Sequence, residues 1–415
     1  MRVVNPNYAC GFIFVYFINM HSLLHRIPNS GFGLSENELY AENNIKTLGN
    51  DLTFSNVRES ERTKHVHRLH PYLGKFIPQL VEIFLKKYFK KGDTVIDPFS
   101  GSGTTLVEAN VLGINSIGIE LSPFNILIQK VKTDKHNLSV LEKDIKDALS
   151  RLQDFSYKLQ AGTVGSINTD SVYMKEWFSE TALQEILFYR DIIPDYQSRD
   201  VLMVILSRAA RSARLVPHYE LARPKAPVKG KYWCIKHKRY CTPVQEAYKF
   251  IRRYSLDTLE RLRAFDKIRS DAFVEIIQGD ARTVELLNHI QIDGVFTSPP
   301  YIGMIDYHEQ HKYAYELFNL TRFDELEIGS ANRGRSKKAV EEYFEAMVQV
   351  FKNINKNLKS GANIFIVVND KHNIYEKIAQ EVSFDLVDTF IRPVTMRTER
   401  NRKDFFESIF HFVKK

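Results

Sequence analysis

Cysteine is scarce in this chain, with three in 415 residues (Cys10, Cys234 and Cys241). Three thiols build no disulfide framework, which excludes the small stapled secreted folds and fits a reducing cytoplasm. Long apolar runs are missing as well. The stretch "ACGFIFVYFIN" near the N-terminus is too short to cross a bilayer, so no membrane partner is expected. No small-residue cleavage site clearly follows it; it reads as a buried segment, or as residues ahead of a true start at Met20. Internal repeats and low-complexity tracts are absent, which argues against a solenoid. Acidic residues almost vanish from one region. Between Ser207 and Thr242 stand ten basic residues (Arg208, Arg211, Arg214, Arg223, Lys225, Lys229, Lys231, Lys236, Lys238, Arg239) against Glu220 alone. That local +9 leaves the rest of a +8 chain near neutral, and it suggests a polyanionic partner.

What is present is the pattern of an α/β protein. "FIPQLVEIFLKKYFKKGD" carries Ile77, Leu80, Val81, Phe84 and Tyr88 at helical spacing. A strand over Thr94–Asp97, a glycine-bearing loop, a helix closed by Gly113 and a strand over Ser116–Glu120 make a βαβ unit with a right-handed crossover. Strand signals then stop, and residues from about 135 to 270 look mostly helical. They return at "FVEIIQGDA" (Phe273–Ala281) and "GVFTSPPY". An amphipathic helix follows from Ala339, then a buried strand "NIFIVV" (Asn363–Val368), a short helix, and two last strands near Phe384–Phe390 and Ser408–Val413. The expectation is one doubly wound domain split by a large insertion.

Two segments point to chemistry. In "DPFSGSGTT" (Asp97–Thr105), Gly101 and Gly103 let the backbone approach a ligand closely. The lysine of a phosphate-cradling P-loop is missing, and so is the third glycine of the dinucleotide fingerprint. Glu120 closes the second strand where an acid can accept both hydrogen bonds of a ribose diol, and Asp280 in "GDA" ends the next strand, within reach of an adenine amino group. The ligand reads as an unphosphorylated adenosine derivative. In "TSPPY", two prolines end a strand and leave Ser298 and Tyr301 on a rigid turn at its carboxyl end, where α/β sheets bind ligands.

Together the two segments resemble the DNA amino-methyltransferases, which use S-adenosylmethionine to methylate exocyclic amines. "HPYLGKFIPQL" (His70–Leu80) resembles the family's additional cofactor motif. The resemblance implies a seven-stranded, mostly parallel sheet over residues 61–134 and 273–415, an N-terminal extension over 1–60, and a basic target-recognition region over 135–272. It implies cofactor contacts from His70, Lys75, Phe76, Asp97, Pro98, Phe99, Ser100, Gly101, Gly103, Thr104, Glu120 and Asp280, and catalysis by Ser298, Pro299, Pro300 and Tyr301. An exocyclic amine is a poor nucleophile because its lone pair is delocalised. The Ser298 hydroxyl and the Pro299 carbonyl can accept its two N–H bonds and turn that lone pair toward the sulfonium methyl, with the prolines fixing both acceptors in advance. Tyr301 offers a face for an extruded base.

Serine before the two prolines is typical of the family's cytosine-N4 enzymes, so the expected product is N4-methylcytosine in double-stranded DNA, made beside a cognate restriction endonuclease. Adenine-N6 is the first alternative, and an RNA guanine-N2 methyltransferase or an inactive core are more remote. Arg208, Arg211, Arg214, Lys229, Lys236 and Arg239 are the expected DNA contacts, with Tyr219, Tyr232 and Trp233 interleaved. The tail Arg392–Lys403 is a further candidate. Here the long insertion precedes "GDA", whereas family members that lead with the cofactor motifs usually place target recognition after it. Asp306, His308 and His311 could line the base pocket or hold a loop over the cofactor. "YWCIKHKRYC" sets Cys234, His237 and Cys241 at C-x2-H-x3-C spacing, three zinc ligands with His218 a fourth, but the spacing matches no strong pattern and no metal is assigned.

Overall fold

The computed structural model describes residues 52–54, 57–72, 74, 77–222, 224–286, 291–394 and 405–415. The residues from Asp51 onward make one compact unit. Seven strands form its central sheet: β1 (Thr94–Asp97), β2 (Asn115–Glu120), β5 (Val274–Gln278), β6 (Ile292–Thr297), β7 (Leu358–Val368), β8 (Phe384–Val394) and β9 (Phe405–Lys414). They lie in the order β5-β2-β1-β6-β7-β9-β8. All pairings are parallel except those of β9, which runs antiparallel between β7 and β8.

Both faces of the sheet are buried, so the middles of its central strands carry adjacent apolar residues (Val95–Ile96, Val295–Phe296, Ile364–Val368) that pack on opposite sides. Ile96, Ile117, Val295, Ile364 and Ile366 pack on one side, against α11 (Lys337–Asn355) and α12 (Tyr375–Glu381). Val95, Phe296, Phe365 and Val367 pack on the other, against Leu80, Val81, Phe84 and Leu85 of α1 (Pro78–Tyr88). Gly294 sits where a Cβ would collide with the Asn363 carbonyl, so only glycine lets β6 and β7 close up there.

The inserted residues are largely helical, as their sequence suggested: α4 (Leu138–Gln160), α5 (Val172–Trp177), α6 (Glu180–Ile192), α7 (Arg199–Ala213) and α8 (Tyr248–Asp266). They do not stand apart as a separate body. Their apolar faces share one core with Val107 of α2 (Thr104–Val111), with Phe124, Ile128 and Val131 of α3 (Pro123–Thr133), and with Tyr313 and Leu317 of α10 (Lys312–Phe318), which follows the single turn of α9 (Tyr307–Gln310). Glu185 accepts bonds from the Ala247 and Tyr248 backbone N–H groups at 2.6 and 2.8 Å, so a carboxylate from α6 caps the positive end of α8. The sequence showed no strand in this region, yet it carries a hairpin, β3 (Tyr232–Cys234) with β4 (Arg239–Cys241). The expected strand "NIFIVV" starts earlier than its apolar run, since β7 opens at Leu358.

Candidate active site

The sheet order reverses direction at β1, with β2 on one side and β6 on the other, and at such a point the loops beyond the strand ends part into a crevice. The residues that end these strands are tied together. The Asp97 carboxylate accepts bonds from the Thr297 hydroxyl (2.6 Å), the Thr105 hydroxyl (2.7 Å) and the Phe99 N–H (3.1 Å). Burial pushes Asp97 up to about 6, and these three bonds hold it below where burial alone would leave it. Its oxygens are spent on the protein, so Asp97 shapes the glycine loop and locks it to the strand that carries Ser298.

Gly101 has φ +50 and Gly103 φ +77, the left-handed region, and Gly103 stands at the start of α2. A Cβ on Gly101 would meet the Tyr72 hydroxyl at 3.1 Å. Ser100 is anchored from below, donating to the Ile119 carbonyl at 3.0 Å with Gln129 beside it. The loop therefore turns its backbone outward, over the end of β1.

Glu120 accepts from the Ser122 N–H at 2.8 Å, and burial raises it to about 7. With Asp97, Phe99, Ser100, Gly101, Asp280 and Ser298 it lines a cleft between the glycine loop and the proline turn. The far wall comes from Tyr72, Tyr307, His308 and Glu327. Tyr72 and Tyr307 stack with centroids 6.0 Å apart, and the buried Glu327 carboxylate holds His308 by its backbone N–H (2.8 Å) and by its Nδ1.

Ser298 and Pro300 face this cleft, while Tyr301 faces a second cavity of about 430 Å³ with Tyr343, Asn369, Asp370 and Tyr375. The Tyr301 hydroxyl donates to Glu407 at 2.9 Å, and Tyr343 donates to the Pro300 carbonyl at 2.9 Å. The proline turn is thus a partition with one polar side and one aromatic side.

A family model described as "DNA methylase", of the N6/N4 type, matches residues 26–130. The type II methyltransferase M.MjaII of Methanocaldococcus jannaschii is 42% identical to this chain, covering 87% of it and 82% of that protein. The type II methyltransferases M.MvaI of Kocuria varians and M.BsoBI of Geobacillus stearothermophilus are 26% and 25% identical over 60% and 68% of the chain, and over 55% and 58% of their own lengths. The chain belongs to the DNA amino-methyltransferases.

For a DNA methyltransferase the cofactor is S-adenosylmethionine, and the cleft suits it. Glu120 presents a carboxylate for a diol, the glycine loop and the start of α2 present backbone N–H groups for a carboxylate, and Phe99 and Ile328 supply apolar wall. Pro98, Ser100, Gly101 and Thr104 of the expected contacts also line the cleft; Gly103 lies just behind, against Gln129. Lys75 and Phe76 fall outside the described residues.

Three expectations need correction. His70 is fully buried behind the cleft, its Nε2 3.1 Å from the Tyr313 hydroxyl and its ring against Phe124, so it supports the wall rather than touching the ligand. Asp280 does border the cleft, but Arg282 grips its carboxylate with bonds of 2.9 Å and shorter, which leaves it less available to an adenine amine.

The third concerns the arginines of α7. Arg208 is buried, pairs with Asp257 of α8 at 2.5 Å and lies over the Tyr254 ring at 4.1 Å. Arg214 is buried too, bonded to the Leu221 carbonyl at 2.9 Å and set 4.9 Å over Tyr313. Both are interior fasteners, out of reach of a phosphate, and Arg211 is half-buried beside them. Lys229, Lys236 and Arg239 are exposed. Of the tail, Arg392 is buried, bonded to the Leu52 carbonyl and Glu407, and 395–403 fall outside the described residues.

His311 likewise faces the interior, against Tyr72 and His70. The sequence reading missed Tyr72, Tyr307 and Glu327. Each lies in a stretch without periodicity, and only the fold brings them opposite the glycine loop.

Proposed function

We infer that this DNA methyltransferase modifies the exocyclic N4 amine of a cytosine turned out of the duplex, as the modification partner of a restriction endonuclease. The observation that carries the reading is the partition at Ser298–Tyr301. A hydroxyl borders the cofactor cleft, and the aromatic side opens on a separate cavity lined by Tyr301, Tyr343, Asn369 and Asp370. That cavity has an aromatic wall for a pyrimidine's face and amide and carboxylate groups for its edge.

S-adenosylmethionine supplies an electrophilic methyl on a sulfonium. Ser298 accepts one N–H of the amine and the Pro299 carbonyl accepts the other, which draws the nitrogen toward a tetrahedral shape and aims its lone pair across the partition. Glu120 and the glycine loop hold the donor in register through Asp97, which bonds to Thr297 next to Ser298. The methylated nitrogen is strongly acidic and gives its proton to water. The Glu407 carboxylate fixes the Tyr301 hydroxyl, so its ring is set before the base arrives.

Lys229, Lys236 and Arg239, with the exposed Trp233 and Tyr240 on the hairpin, are the proposed DNA contacts. The test is to incubate the protein with labelled S-adenosylmethionine and unmodified mixed-sequence DNA, and to identify the product nucleoside by mass. N4-methylcytosine is expected. N6-methyladenine would keep the enzyme class and overturn the assignment of the base.

A further inference from the structure

The β3–β4 hairpin has almost nothing of its own to hold it. Each strand is three residues long, and a two-stranded ribbon is marginal in water even when longer. Trp233, Ile235 and Tyr240 are 52%, 56% and 70% exposed, so apolar burial does not anchor it. Its other face is different. Tyr232 pairs with Cys241 and Cys234 with Arg239, and strand alternation sets Cys234 and Cys241 on one side and Trp233 and Tyr240 on the other.

Two histidines converge on the cysteine side. The turn closes with the Lys238 N–H on the Cys234 carbonyl at 2.8 Å, and Lys238 takes φ +51, a left-handed conformation unusual for lysine. This bend brings His237 Nδ1 to 3.4 Å from Cys241 Sγ. From the segment after α7, His218 Nδ1 comes to 4.0 Å from Cys234 Sγ. The four ligand atoms all lie within 4.8 Å of one another. A tetrahedral zinc with Zn–S of about 2.3 Å and Zn–N of about 2.0 Å needs ligand atoms roughly 3.3–3.8 Å apart. The four atoms are gathered close enough that modest side-chain rotations bring them to that spacing.

We propose that His218, Cys234, His237 and Cys241 bind a structural zinc ion that fastens the hairpin to the helical layer. Two sulfurs and two nitrogens in a closed set select zinc and leave no position for water, which makes the site structural rather than catalytic. On binding, each thiol gives its proton to solvent, and the two thiolates neutralise the ion's charge. The Tyr232 hydroxyl, 3.1 Å from His218 Nδ1, yields its place on that nitrogen to the metal. The site sits on the face of the hairpin opposite Trp233 and Tyr240 and does not depend on which base is methylated.

The protein, purified under reducing conditions without chelator, is assayed for metal by mass spectrometry. About one zinc per chain is expected, released when a mercurial blocks the thiols. Cobalt exchanged into the site is expected to give tetrahedral visible bands and a thiolate charge-transfer band. Because His237 is exposed, His237→Ala keeps the fold, and it is expected to weaken zinc binding by more than about tenfold, since even outer-sphere partners cost about 10–100-fold. Cys241→Ser is expected to roughly halve the cobalt charge-transfer band, leaving the Cys234 contribution, while S-adenosylmethionine binding, measured by calorimetry, persists. A chain that neither carries zinc nor takes up cobalt after reduction, or variants that keep full zinc affinity, would overturn the proposal. So would a Cys234–Cys241 disulfide that survives reducing purification.

Discussion

At the scale of single residues, the site separates groups that hold the loop from groups that meet the ligand. Asp97 holds the loop, and Glu120, which lines the cleft, is the proposed contact to the ribose diol. Because burial lifts Glu120 to about 7, the free protein keeps it largely protonated in mild acid, whereas a ribose diol needs the ionised form as a double acceptor. Cofactor binding therefore releases a proton below that pH. S-adenosylmethionine affinity should fall about tenfold per pH unit below about 7 and level off above it, a slope visible in calorimetry from about pH 5.5 to 8.5. In Glu120→Gln the slope should vanish and binding should be weak throughout. Ser298→Ala removes one preorganised acceptor, so kcat should drop by roughly 10²–10³ with cofactor affinity unchanged; a loss of affinity instead would place Ser298 among the cofactor contacts.

At the scale of elements, the two halves of the basic stretch part company. Arg208→Ala strips Asp257 of one of its two arginine partners, leaving Arg261, and should cost about 1.5–3 kcal/mol in denaturant unfolding while leaving the salt dependence of DNA binding alone. Lys236→Ala with Arg239→Ala should do the reverse: stability unchanged, and the slope of log K against log salt smaller by about 1.8, near 0.9 for each phosphate no longer neutralised. Their adjacency in sequence concealed this division. Helix α7 turns Arg208 and Arg214 inward, onto Asp257 and Tyr313, and no local pattern reveals partners so far along the chain. β1, β2 and β6 were legible because each carries a short stretch of β-branched or aromatic residues, with Pro98, Pro123 and Pro299 beyond them. Hairpin β3–β4 was not, since each strand is only three residues long and "IKHKR" between their apolar residues carries no alternation. Glu120 and Ser298 could be read because strand ends fix where they point; Tyr72 and Glu327 could not, because loops do not.

At the scale of the molecule, the inserted helices and the sheet strands belong to one compact unit, and the helices share a core with α2, α3 and α10. A variant that loosens the shared core, such as Leu202→Ala on α7, should lose about 2–5 kcal/mol in unfolding, and the extra motion should appear as a raised KM for DNA before any fall in kcat. Among the described residues no helix is long and apolar enough to cross a membrane.

The bond between Asp97 and Thr297 joins positions 200 residues apart, and this sets a clock on biosynthesis. At about 5–20 residues per second, the glycine loop waits roughly 10–40 s on the ribosome for the strand that completes it. In that interval α4 to α8 can settle through contacts among themselves, drawing the two distant strands together before they pair. A half-made chain holds the cofactor loop without its clasp and without the acceptor turn, so the host's DNA meets methylating activity only after the rest of the fold is in place.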